Sequence, residues 1–267
     1  MGADHSKSPT ELRQYLALLR QRDGAGQPFI IVGGHAANFW AEFYSEREPR
    51  LKASQPFTSK DLDIIATEED ARRVAAAIGW HFSPPPIGGG PVQAVLSSGP
   101  EGAGLAVEFL SEIKGVSHQT IVDNVRESVV QIPTTSEAVT VRVLDPVLLL
   151  AGKIRNAVDI EQHQPEKPRQ DVKHVAMLAL CVPHFLEDVQ AQAGERTRQR
   201  EVCGQYVTML ASLKNTYSGR KFEAQHPGVI HWPELIPPTI RQMPFDWQIQ
   251  TSLRQLGGEG QSRGMSV

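Results

Sequence analysis

Two short signatures in a fixed order constrain this chain most. An apolar, β-branched run, Phe29-Ile-Ile-Val32, ends in Gly33-Gly34, and 27 residues beyond Gly34 comes Asp61-Leu-Asp63-Ile-Ile65. The first run predicts a short buried strand. Ala36, Phe39, Trp40 and Phe43 recur at helical spacing, so His35 to Tyr44 predicts a helix directly after the glycines. Glycines between a strand and a helix N-terminus let a phosphate approach free backbone N–H groups. Lys60 to Ala66 predicts the next strand. On it Asp61 and Asp63 share a face, with Cα atoms roughly 6.5 Å apart, while Leu62 and Ile64 face the other, apolar side. Two aspartates on a largely buried strand are costly unless a cation sits between them. Mg²⁺ (or Mn²⁺) suits that place, because it takes carboxylate oxygens and keeps positions for substrate phosphates. The competing reading is structural: Asp61 caps the strand and Asp63 faces solvent.

A third acid bears on the choice. Leu105-Ala-Val-Glu108-Phe-Leu110 predicts a strand with one carboxylate inside an apolar run. Burying Glu108 alone would cost several kcal/mol, so it belongs at a site or at an exposed edge. If its strand neighbours the Asp61/Asp63 strand, three carboxylates converge, as metal-assisted phosphoryl transfer requires. A bound triphosphate also needs cations from the protein. Lys153 and Arg155 stand out in the mostly apolar helix Leu148-Leu-Leu-Ala-Gly-Lys153-Ile-Arg155, although lysines there commonly snorkel to solvent. Lys60 would point away from Asp61 and ranks below Lys153. His35 is placed to touch a phosphate from the first helical turn, or is simply solvated. The glycine pair is neither a Walker loop nor GxGxxG. His174, Cys181 and His184 fall on a similar helical face but match no structural zinc spacing, and read as core.

Composition is ordinary for a globular protein, with 21% charged and 40% hydrophobic residues in 267. A net charge of −3 carries no global polybasic signature for nucleic acid or anionic lipid. Two cysteines, Cys181 and Cys203, do not make a disulfide scaffold and fit a reducing compartment. The polar N-terminus lacks the apolar stretch of a signal peptide, and no run approaches a membrane span. A soluble, cytoplasmic protein is the expectation. Met-Gly-x-x-x-Ser formally matches a myristoylation pattern, too short to carry weight.

An N-terminal helix is expected from Ser8-Pro9 to Leu19, stopped by Asp23-Gly-Ala-Gly26. Ser45 to Phe57 reads as loop, and Thr67 to Ile78 as a helix with a capping box. Ser83 to Pro91 reads as linker, Pro91–Ser97 and Leu105–Leu110 as strands around the turn Ser98-Gly-Pro-Glu-Gly, and Val139–Leu144 as another strand. At Asp145-Pro146 the chain turns helical: to about His163, then Arg169–Ala193 with Pro183 bending it, then Thr197–Asn215. The remainder reads as a loosely specified tail with one last helix. The expected fold class is α+β, a mixed sheet flanked by helices and followed by a helical half. The expected divisions are 1–27, an N-terminal helix; 28–144, an α/β core; 145–215, a helical part completing the site; and 216–267, an extension.

Val32-Gly33-Gly34-His-Ala, Thr58-Ser-Lys-Asp61-Leu-Asp63-Ile, the strand bearing Glu108 and Asp145-Pro-Val-Leu-Leu-Leu-Ala-Gly-Lys153-Ile-Arg155 together resemble the minimal nucleotidyltransferase superfamily, in the branch around the AbiEii-type toxins. Arg169-Gln-Asp171-Val-Lys-His looks like that branch's later basic-acidic helix start. The resemblance covers about residues 28 to 180. It implies a polymerase-β-like fold in which Gly33 and Gly34 hold a nucleoside triphosphate, and Asp61 and Asp63 bind Mg²⁺. Glu108 would join the metal or activate an acceptor hydroxyl, and Lys153, with Asp171, would line the site. A nucleotidyl group would pass to an RNA or tRNA end, a protein or a small molecule, with pyrophosphate released. A toxin–antitoxin role, with an antitoxin partner, is likewise implied by the resemblance alone. Glu108 departs from the aspartate common in the superfamily. The alternative is therefore a catalytically degenerate nucleotide-binding or regulatory protein on the same fold. A haloacid-dehalogenase phosphatase is excluded, because Phe57-Thr-Ser-Lys60 is not an apolar strand and Ile65 stands where that motif needs Thr or Val. A glycosyltransferase would leave the glycine pair unexplained.

Overall fold

In the computed structural model the described residues are 10–85, 88, 90–99, 104–131, 138–160 and 169–257. A 3-10 turn, Leu12–Tyr15, runs into α1, Leu16–Leu19, which buries Leu18 and Leu19. The start is later than expected: Ser8 and Pro9 lie outside the described residues, but Thr10 bridges to Ser59 and Glu11 is extended, so the helical turn begins only at Leu12. Asp23 ends this segment by accepting the Ala25 and Gln27 N–H groups at 2.9 and 2.8 Å. Strand β1, Ile30–Val32, is buried along its whole length, as a run of β-branched residues at a sheet centre should be. Helix α2, Gly33–Tyr44, follows without a spacer. The expected loop after it contains a 3-10 helix, Pro49–Ser54.

Strand β2 is Leu62–Ile65, shorter than expected, so Asp61 stands at its entrance. Helix α3, Glu68–Ile78, has the anticipated reciprocal cap between Thr67 and Asp70. Then come β3, His81–Ser83, β4, Val92–Ser97, and β5, Ala106–Leu110. A short α4, His118–Asp123, precedes β6, Val125–Gln131, which pairs with β7, Ala138–Leu144. Neither β3 nor the α4–β6 segment is anticipated from sequence. The turn at 100–103 and part of the segment 83–91 fall outside the described residues.

These strands form one mixed sheet in the order β3-β4-β5-β2-β1-β7-β6. Strands β1 and β2 are antiparallel, while β2–β5 and β1–β7 are parallel. The chain is thus α+β, with a seven-stranded sheet and flanking helices.

The helical half begins as read. In α5, Pro146–Asp159, the Asp145 carboxylate accepts the Leu148 N–H at 2.8 Å and Pro146 takes the first turn. Helix α5 is shorter than the expected run to His163: it ends at Asp159, and Ile160 is extended. Helix α6, Asp171–Gln192, passes through Pro183 as one helix. It is held to α2 by an edge-to-face Trp40–Phe185 contact at 5.8 Å and by the Tyr44 hydroxyl donating to Asp188 at 2.9 Å. Trp40 also donates its indole N–H to the Leu144 carbonyl at 2.8 Å, tying α2 to the end of β7.

After α7, Arg196–Asn215, the tail departs from expectation. It folds into α8, Tyr217–Gln225, a 3-10 turn at Trp232–Leu235, α9, Pro238–Arg241, and α10, Trp247–Gln255. Phe222, Trp232, Ile240 and Leu253 are buried in the same core as the sheet. The apolar residues are sparse and interrupted by prolines, so the periodicity is weak although the packing is not. Phe222→Ala is therefore expected to destabilise the protein by about 3–5 kcal/mol. Trp247→Ala, at a side chain in a residue 73% exposed, should stay within about 0.5 kcal/mol. Urea denaturation of both variants checks this, and equal small effects would mean that the tail is not part of the core.

Candidate active site

The glycine turn and the aspartate strand meet because β1 and β2 are paired. Val32, the last residue of β1, lies opposite Asp63. Gly33 therefore sits against the Asp63 side chain. A Cβ on Gly33 would fall 1.8 Å from Asp63 Oδ2, and its φ of +67° is a conformation that other residues adopt at a cost. The Gly34 N–H lies near enough to the Asp63 carboxylate to favour its charged form. Gly34 is crowded too, since a Cβ there would fall 2.4 Å from Ser59 Oγ and 3.3 Å from His174 Cε1.

On its other side β2 pairs in parallel with β5, and Asp63 lies opposite Glu108. Adjacent strands are about 4.8 Å apart and residues in register share a face, so the two acids point the same way. Asp61, Asp63 and Glu108 line one cavity of about 260 Å³, together with Gly34, Lys153 and Asp171. These are six of the residues expected at a site.

The other expected residues are placed differently. Gly33 packs behind the cavity wall, on Asp63. His35 is fully buried beneath the turn, edge-on to Tyr15 at 5.2 Å and 3.3 Å from the Thr10 hydroxyl. Burial lowers its pKa to about 4, so it carries no positive charge to a phosphate. Arg155 is not on the cavity wall; its guanidinium occupies the space a side chain at Gly115 would need. Two residues along a helix are about 200° apart, so Arg155 cannot share a face with Lys153.

Four further residues complete the wall: Ser59, Arg169, Gln170 and His174. Lys60 joins them although strand alternation put it on the far side. Because β2 begins at Leu62, Lys60 lies in a bend where alternation does not apply. His174 belongs to this wall and not only to the core. Cys181 is buried, and His184 lies 3.7 Å from Glu48.

The charges are unevenly satisfied. Asp171 is 2% exposed and takes Lys153 Nζ at 2.9 Å on one oxygen and Arg169 Nε at 2.7 Å on the other. Burial alone would push its pKa up, but these two cations outweigh burial and hold it below the usual carboxylate value. Asp63 is in the opposite state. Its carboxylate is largely enclosed by protein, although the residue keeps some exposure at the cavity wall, and it feels the charges of Asp61 and Glu108, so its pKa rises well above the ordinary value despite Lys153 and the Gly34 N–H. The wall carries Lys60, Lys153 and Arg169 against Asp61, Asp63, Glu108 and Asp171. Two of those three cations are already bound to Asp171. Among the described residues, no three His, Cys, Asp or Glu side chains gather tightly enough to form a ready-made metal cluster. What the cavity offers is a set of carboxylates beside a helix N-terminus.

No protein-family model matches the chain, and no curated protein matches it.

The raised Asp63 pKa has a testable sign. Its proton is held more tightly in the folded than in the unfolded chain. The associated stability is full below the unfolded carboxylate pKa of about 3.9 and is lost as pH rises through the higher folded value. Asp63→Asn removes that loss. The variant should melt several degrees above the parent at pH 7 to 8, and the two should converge near pH 4. Equal melting temperatures across that range would show that Asp63 is not held at an electrostatic cost.

Proposed function

We propose that the protein is a divalent-metal-dependent nucleotidyltransferase of the polymerase-β-like kind. The observation that carries this reading is the register that sets Asp63 beside the glycine turn on one side and opposite Glu108 on the other. A triphosphate cannot enter a cavity whose carboxylates outnumber its cations unless positive charge comes with it. Asp61 and Asp63 would hold Mg²⁺ or Mn²⁺, with Glu108 within reach. The missing ligands would come from substrate oxygens, as suits Mg²⁺, which binds one or two carboxylates plus phosphates. When bound, the ion supplies charge neutralisation and polarises the phosphoryl group.

The protein's own residues position the rest. The N-terminus of α2, opening at Gly34, directs its positive end at the phosphate chain, and Gly34 brings no side chain into the way. Lys60, Lys153 and Arg169 offset its charge. An acceptor hydroxyl oxygen bonds to the α-phosphorus as the bond to the β-bridging oxygen breaks, and pyrophosphate leaves with that electron pair. The hydroxyl proton passes to a carboxylate, for which Glu108 is the candidate. Orientation and electrostatics provide most of the acceleration.

Incubating the protein with each α-labelled nucleoside triphosphate, Mg²⁺ and pools of RNA, protein or small molecules tests this. Label should pass to one pool, and Asp61→Ala with Asp63→Ala should reduce transfer by at least about a hundredfold, the scale of losing an electrostatic catalytic group. Metal-dependent triphosphate binding with no transfer to any pool would instead identify a nucleotide-binding protein without catalysis.

A further inference from the structure

One corner of the cavity is more polar than charge balance requires. His174, on the first turn of α6, is 4% exposed, yet neither Nδ1 nor Nε2 has a hydrogen-bond partner among the described residues. One turn earlier, Gln170 lines the same cavity, and its buried Oε1 is also without a partner. Leaving such groups buried and unbonded forfeits their hydration with nothing in return. Buried polar atoms are normally satisfied by protein, water or ligand. The ring's position narrows the choice. His174 Cε1, the carbon bonded to both ring nitrogens, lies 3.3 Å from where a Cβ on Gly34 would sit. Both nitrogens therefore flank the atom that faces the glycine turn.

We infer that His174 is a substrate-binding residue, giving an imidazole N–H to a phosphate oxygen of the chain seated on Gly34. This rests on reading the cavity as a triphosphate site. Burial and the neighbouring Lys153 charge hold the imidazole neutral, so it has one N–H to donate and one nitrogen left to accept. A neutral donor suits this place, because Lys153 and Arg169 are already engaged by Asp171. The ring would add a directed hydrogen bond where a further buried positive charge would be costly.

Calorimetric titration of the full chain with Mg²⁺-tripolyphosphate, and with each of the four Mg²⁺-nucleoside triphosphates, tests the inference on the parent, His174→Ala and His174→Gln. Loss of one hydrogen bond to a charged oxygen should weaken tripolyphosphate and nucleotide alike in His174→Ala, by at least about tenfold. His174→Gln, which keeps an N–H donor, should stay within about threefold of the parent. Unchanged binding in His174→Ala, or weakening of nucleotide but not tripolyphosphate, overturns the assignment while the site reading stands. Failure of the parent to bind either ligand overturns both. An independent readout needs no variant. The ¹⁵N resonances of the His174 ring in the parent should move when Mg²⁺-tripolyphosphate is added, and unmoved resonances at saturation contradict the contact.

Discussion

The repulsion around Asp63 is the constraint on which the rest of the site depends. Strand β2 lies between the strand that ends in Gly33-Gly34 and the strand that carries Glu108. That order puts a half-buried carboxylate at the cavity wall within reach of two others. The fold offers it one backbone N–H and the field of Lys153, and these leave the balance unfavourable to its charge. A protein under selection for stability alone would place an apolar residue there. Strained electrostatics beside a helix N-terminus are characteristic of sites built to receive a counter-charge.

The helical half completes this arrangement from above. Lys153 comes from α5, capped by Asp145, and Asp171 and His174 come from the first turn of α6. The α6 helix is fixed over the glycine turn by the aromatic contact to Trp40 and the Tyr44–Asp188 hydrogen bond. Asp171 in turn fixes Lys153 and Arg169, so the cationic groups are held in place by an acid more buried than themselves. This is a preorganised wall, with the ordering cost met during folding and not on ligand binding.

Much of this was legible in the chain because local chemistry announced it. The glycine pair after a β-branched run, the lone acid inside Ala106–Leu110 and the Asp145-Pro146 helix start all appear where local reasoning places them, and Asp61 and Asp63 line one cavity although Asp61 precedes β2 and lies outside its alternation. The adjacency of Glu108 to Asp63 could only be posed as a condition, because strand order is set by long-range pairing. His174 was hidden by its neighbours: among Val175, Met177 and Leu178 a histidine looks like core, and only tertiary packing turns it toward the cavity. Arg155 could have been set aside from helical angles alone. His35 could not, since the burial that neutralises it comes from Thr10 and Tyr15 on a distant segment. The tail escaped because proline-interrupted apolar residues carry no period, although Trp232 and Ile240 are as buried as the central strands.

In the function proposed, Asp61 and Asp63 together hold a divalent ion shared with a triphosphate. Anomalous diffraction from crystals grown with Mn²⁺ and a non-hydrolysable nucleoside triphosphate measures this directly. The predicted result is a manganese peak in contact with carboxylate oxygens of both aspartates and with phosphate oxygens, beside Gly34. Triphosphate bound in the cavity with no manganese at Asp61 and Asp63, or manganese bound only elsewhere, would contradict it.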